Sequence, residues 1–123
     1  MNILKRNLNT VVQIIVYCED ISKAVKRFGN SYDTLIHDKD YKNTVSMCIF
    51  QIGELSVSLT DDFKEKYNGV PWREIKGMRN VVAHEYIKMK DDVLWKVICD
   101  DIPKLREYCE KILRENNVEE YPV

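Results

Sequence analysis

Apolar residues recur along this chain at spacings of three and four, the period of a helix that lays one face on a core. Leu8, Val11, Val12, Ile15, Cys18, Ile21, Val25 and Phe28 trace the first such face and predict a helix over about 4–28. Gly29 supplies its stop, and Ser31 caps a short helical turn through Tyr32, Leu35 and Ile36, with His37 just beyond it. The pattern resumes at Asp40 with Val45, Cys48, Ile49, Ile52, Leu55 and Leu59, a second long helix ending near Thr60. Gly53 inside it costs about 1 kcal/mol relative to alanine, which points to the close approach of another helix. A polar connection follows from Thr60 to Val70, with one helical turn around Phe63. Its adjacent Asp61 and Asp62 suit the positive end of a helix dipole better than a metal.

Pro71 fits the first turn of a third helix, because its missing donor is one that a helix start leaves unused. Trp72, Ile75, Val82 and Tyr86 give that helix a buried stripe, Gly77 leaves room for a backbone or substrate, and the helix stops around Ile87. Asp91 or Asp92 caps the last segment, where Val93, Leu94, Val97, Ile98, Ile102, Leu105, Cys109, Ile112 and Leu113 again recur helically. Pro103 interrupts it and demands either a kink or two abutting helices with Asp101 near the second cap. From about Asn116 to Val123 the tail is expected to be loosely ordered. No strand period emerges. The pattern predicts an all-α fold: a compact antiparallel bundle of about four long helices plus short helical turns.

Composition narrows this little. The 123 residues are enough for one domain, expected over 1–123, and too few for two comfortable ones. A net charge of −1 argues against a uniformly basic nucleic-acid binder, so any RNA site must be local, built from Arg79 with lysines such as Lys76 and Lys88. Cys18, Cys48, Cys99 and Cys109 lack the paired spacing of a zinc site and read as reduced core thiols, so neither metal nor cofactor is expected. The apolar run from Val11 to Cys18 is interrupted by Gln13 and is too short to span a bilayer, which points to the cytoplasm.

The chemistry concentrates in Gly77 to Tyr86, GMRNVVAHEY. Arg79, Asn80, His84 and Tyr86 fall within two or three helical turns, on bordering stripes. Arginine is a permanent planar cation suited to phosphate, and histidine is the side chain best placed to move protons near neutral pH. Together they suit phosphodiester cleavage, with Arg79 on the phosphate, His84 as general acid or base, and Asn80 orienting either. Each also has a plain structural reading: a hydrogen-bonded histidine at 84, a core tyrosine at 86, and a salt bridge from Arg79 to Glu54, Glu74 or Glu85. His37, with no second ligand or nucleophile in view, reads as a solvated loop residue.

The spacing of Arg79, His84 and Tyr86, with four residues between the first two and one between the last two, resembles the signature of the HepT-like branch of the HEPN superfamily. Ile52-Gly53-Glu54, Pro71-Trp72, Gly77-Met78-Arg79-Asn80 and Asp101-Ile102-Pro103 are similar to the same branch, so the resemblance covers roughly Asp40 to Leu105. It implies a compact helical ribonuclease toxin, an endonuclease or exonuclease, of a type VII-like toxin–antitoxin pair. It further implies a homodimer whose composite cleft cleaves tRNA or mRNA without metal. An MntA-like nucleotidyltransferase antitoxin would then neutralise it by attaching AMP to Tyr86, with Glu54 a possible supporting residue. The alternative is a noncatalytic helical adaptor that docks such a nucleotidyltransferase; cleavage chemistry separates the two.

Overall fold

The computed structural model describes residues 2–85 and 90–123, with residues 80–85 described by their helical backbone alone. Among the described residues seven α-helices follow in order: α1 (Ile3–Phe28), α2 (Tyr32–His37), α3 (Lys39–Ser58), α4 (Asp61–Lys66), α5 (Trp72–Glu85), α6 (Asp91–Lys96) and α7 (Ile102–Glu115). No strand occurs among the described residues. The fold is all-α, as the periodicity requires. α3 lies at its centre, packed on α1 along one side and on α5 along the other, while α7 closes against α1.

The buried faces largely follow the three-four pattern, although Ile14 is buried without having been read on the first face, and Leu8, Val12, Val25 and Phe28 are only partly buried. Val11, Ile14 and Ile15 of α1, Val45, Ile49 and Ile52 of α3, and Ile112 and Leu113 of α7 are fully or almost fully removed from solvent. Each such side chain contributes about 1.5–3 kcal/mol of transfer free energy. Local signals then fix the ends of the rods. The Asn2 side chain caps α1 by accepting from the Lys5 amide, Ser31 caps α2 through Thr34, and Asp38 caps α3 through Tyr41. Gly29 terminates α1 at φ 127°, a backbone conformation that other residues rarely adopt, and its N–H donates to the Val25 carbonyl. Asn7, buried in the first turns of α1, donates to Thr60 Oγ1 at 3.0 Å and accepts from the Thr60 amide at 3.2 Å. That pair ties the start of α1 to the end of α3, so the two helices run antiparallel. The Tyr41 ring stacks on Phe28, with centroids 5.1 Å apart. Its hydroxyl is buried with no hydrogen-bond partner among the described residues.

Several expectations are corrected. His37 ends α2 rather than following it, and it is exposed beside the Asp33 carbonyl and carboxylate. Lys90, not Asp91 or Asp92, occupies the cap position of α6, and no side chain caps that helix; the two acids sit in its first turn. At Pro103 the second of the two expected outcomes holds: α7 begins at Ile102 with Asp101 at its cap position and Pro103 in its first turn. Residues Val97–Asp101 form a π-helical turn that joins α6 to α7, with the Ile102 N–H reaching back to the Val97 carbonyl. The wider turn absorbs the missing donor and the ring bulk of a proline two residues further on. The tail is not loose where it begins. Asn117 takes φ 62°, and the amides of Asn117 and Val118 donate to the carbonyls of Arg114 and Leu113. These bonds close α7 with a left-handed asparagine cap. Val118 and Tyr121 then pack against the core, and Asn116 donates to the Tyr67 hydroxyl at 3.0 Å. Finally, Cys18, Cys48 and Cys109 are buried thiols, but Cys99 in the π turn is exposed.

Candidate active site on the third long helix

α5 starts where Pro71 and Trp72 place it. The Trp72 indole N–H donates to the Tyr67 carbonyl at 2.7 Å, which anchors the first turn to the end of α4. Trp72 and Ile75 are buried, and Met78 packs partly against the core. At about 100° per residue these positions define the side of the helix that faces the bundle. Arg79 belongs to the same side, not to an open face as its polarity suggests. Its stem crosses α3 at Gly53, where an ideal Cβ would stand only 2.3 Å from Arg79 Cβ. The guanidinium then emerges at the rim, where Nη1 donates to Glu54 Oε1 at 3.0 Å. The expected close approach at Gly53 is therefore real, and the approaching residue is Arg79 itself. Glu54, one of the salt-bridge partners considered for Arg79, is thus paired with it.

The rest of α5 is segregated by charge. Measured around the axis from Arg79, Lys76 lies about 60° away, Asn80 about 100°, Arg73 about 120° and His84 about 140°, all in the same rotational sense. Positions 74 and 85, both glutamates, fall on the opposite side. Arg73 and Lys76 are exposed, and Gly77, on the same open face as positions 80 and 84, has no atom within 4 Å of an added Cβ. Gly77 thus admits no other backbone among the described residues; it leaves a flat spot on its face of the helix. A chain of almost balanced charge in this way acquires a local basic arc, with Arg79, Lys76 and Arg73 bordering the positions of Asn80 and His84. Such an arc attracts phosphate without a basic protein behind it.

Asn80 and His84 lie on the described backbone of α5, so helical register is what relates them to Arg79. Tyr86 lies outside the described residues, as does Lys88. Glu54, read from the sequence only as a possible supporting residue, lies in direct contact with Arg79. No group of three or more histidine, cysteine or acidic side chains able to hold a metal occurs among the described residues. None of the described helices is long and apolar enough to cross a membrane.

The comparisons with known proteins agree in direction. The family model described as Ribonuclease HepT-like matches residues 14–112. A protein of Methanocaldococcus jannaschii named "Putative RNase" is 35% identical over 79 residues, which is 64% of this chain and 72% of that protein. A protein of the same designation from Caldanaerobacter subterraneus subsp. tengcongensis is 32% identical over 83% of this chain and 89% of its own length. A protein of Thermococcus cleftensis named "Probable ribonuclease HepT" is 33% identical over 78% of this chain and 92% of its own. No solved structure matches the chain significantly.

Proposed function

The chain belongs to the family of HepT-like ribonucleases, and from that premise we propose that it cleaves RNA at the open face of α5, with Arg79, Asn80 and His84 as the working residues. The observation that supports this reading most is the basic arc of Arg73, Lys76 and Arg79 running beside positions 80 and 84. It supplies phosphate attraction where the only histidine of the segment stands.

The reaction follows from these residue types. The RNA 2′-hydroxyl attacks the adjacent phosphorus while His84 takes its proton; the bond from phosphorus to the 5′-oxygen breaks, and that oxygen leaves with a proton from a general acid. Arg79 offsets the charge that builds on the non-bridging oxygens, and Asn80 orients the imidazole or an oxygen. The products are a 2′,3′-cyclic phosphate and a 5′-hydroxyl, and no metal enters. One histidine cannot hold both proton roles in one turnover, so a second copy of the chain, packed about a two-fold axis on the open face of α5, supplies the other. Control follows from the same helix: a partner nucleotidyltransferase transfers AMP to the Tyr86 hydroxyl, and the added phosphate occupies Arg79 and repels substrate. In this role the protein is the toxin of a toxin–antitoxin pair.

Freshly purified, unmodified protein should cleave RNA in the presence of chelator and leave cyclic phosphate ends. His84→Ala and Arg79→Ala should each lower the single-turnover rate by roughly 10²–10⁴-fold while keeping the helical circular dichroism. A folded His84→Ala protein of full activity would remove histidine from the mechanism. Wild-type protein that never cleaves, yet still binds the nucleotidyltransferase, would favour the adaptor.

A further inference from the structure

Two consecutive residues of α3 determine where Arg79 goes. At Gly53 an ideal Cβ would lie 2.3 Å from Arg79 Cβ and 3.1 Å from its Cα, so the helices meet there at a spacing that only glycine allows. At Glu54 the far end of the same side chain is caught, Nη1 to Oε1 at 3.0 Å. Backbone holds the root of the arginine and a carboxylate holds its tip. The pair is not a buried one, the side chains being 25% exposed for Arg79 and 46% for Glu54. Exposed ion pairs add little to stability, and a glycine within a helix detracts from it. As a stabilising device the arrangement is poorly motivated.

We infer that Glu54 is a positioning residue for Arg79: its carboxyl group holds the guanidinium at the edge of the basic arc, and its negative charge restrains how strongly Arg79 takes a phosphate. This rests on the arc being an RNA-cleaving site. The two effects are chemically separable. Orientation needs only an acceptor oxygen at the place of Oε1, which glutamine also offers. Restraint needs the charge, since a carboxylate competes with a phosphate for the same planar fork of donors.

Glu54→Gln should therefore keep the single-turnover rate within about twofold and tighten the binding of 2′-O-methyl RNA by roughly three- to tenfold. Glu54→Ala, which removes this acceptor, should lower the rate at saturating RNA by about tenfold or more, because a misplaced phosphate ligand loses transition-state contact. Both effects should vanish in an Arg79→Ala background, which a purely structural role of Glu54 would not require. Wild-type rate and affinity in both variants would overturn the inference, as would effects of equal size without Arg79. If wild-type protein fails to cleave while Glu54→Gln still tightens 2′-O-methyl RNA through Arg79, the cleavage reading falls and the positioning role stands.

Discussion

A single buried atom shows what side-chain detail adds to a hydrophobic pattern. The Tyr41 ring belongs to the core, but its hydroxyl has no hydrogen-bond partner among the described residues, and a buried polar group without one costs roughly 1–3 kcal/mol. Burial also raises the pKa of the phenol. Tyr41→Phe retains the stacking on Phe28 and deletes the orphaned oxygen. It should raise stability by about 1 kcal/mol in urea unfolding, and a loss of stability would mean that the hydroxyl is paired in solution. Nothing in the spacing of apolar residues could have told that tyrosine from a phenylalanine. The same limit applies to Arg79. Its place on α5 was plain from the sequence, but its direction depended on α3, because the missing side chain of Gly53 opens a path that any other residue would block.

For whole elements the chain was far more readable. The Ser31 start of α2, the glycine stop of α1 and the beginning of α5 beside Pro71 were legible as local chemistry, whereas the Asn2 and Asp38 caps, equally local, were not singled out. Beyond local slips at His37 and Lys90, what was missed lies where tertiary packing set the outcome. The π turn at Val97–Asp101 reconciles Pro103 with a helix whose Ile98 and Ile102 must both stay buried. The asparagine cap at Asn117 ends α7 where no glycine advertises it. Gly53 is the test case for the crossing of α3 and α5. Gly53→Ala gains about 1 kcal/mol of helix propensity but forces two helices apart, and overpacking of this kind costs about 1–3 kcal/mol. The net effect should be a lower melting temperature, together with weaker cleavage because Arg79 moves with α5. A variant as stable as wild type would show that the crossing adjusts freely.

At the scale of the whole molecule, one ion pair couples stability to pH. Glu19 on α1 pairs with Arg106 on α7, and that hydrogen bond lowers the pKa of the glutamate. A carboxylate whose folded pKa is depressed stabilises the fold above its unfolded pKa, and this contribution is lost as pH falls through the folded value. The arginine keeps its charge throughout. Wild type should therefore exceed Glu19→Gln in melting temperature near neutrality, and the gap should shrink as pH drops below the ordinary glutamate value near 4.5. A gap independent of pH would assign the coupling of α1 to α7 to packing alone. The helical core follows from periodicity, whereas this link between distant helices could not, since charged residues on two helices carry no mark of which one they meet.

The four thiols differ sharply in reach. Burial pushes Cys18 up to about 12 and Cys48 up to about 11, and Cys109 lies well above the ordinary thiol value. Cys99, raised more by partial burial than by the neighbouring Asp100 carboxylate, is the exposed one, and it sits in the π turn. The native protein thus carries its own attachment point for a spectroscopic probe. A maleimide dye at mildly alkaline pH should add once per chain and map to Cys99 by peptide mass spectrometry, with denaturant exposing the other three. A fluorophore there would report the opening of the wide turn between α6 and α7 in otherwise unaltered protein, and two such dyes would measure distances between chains in any assembly it forms.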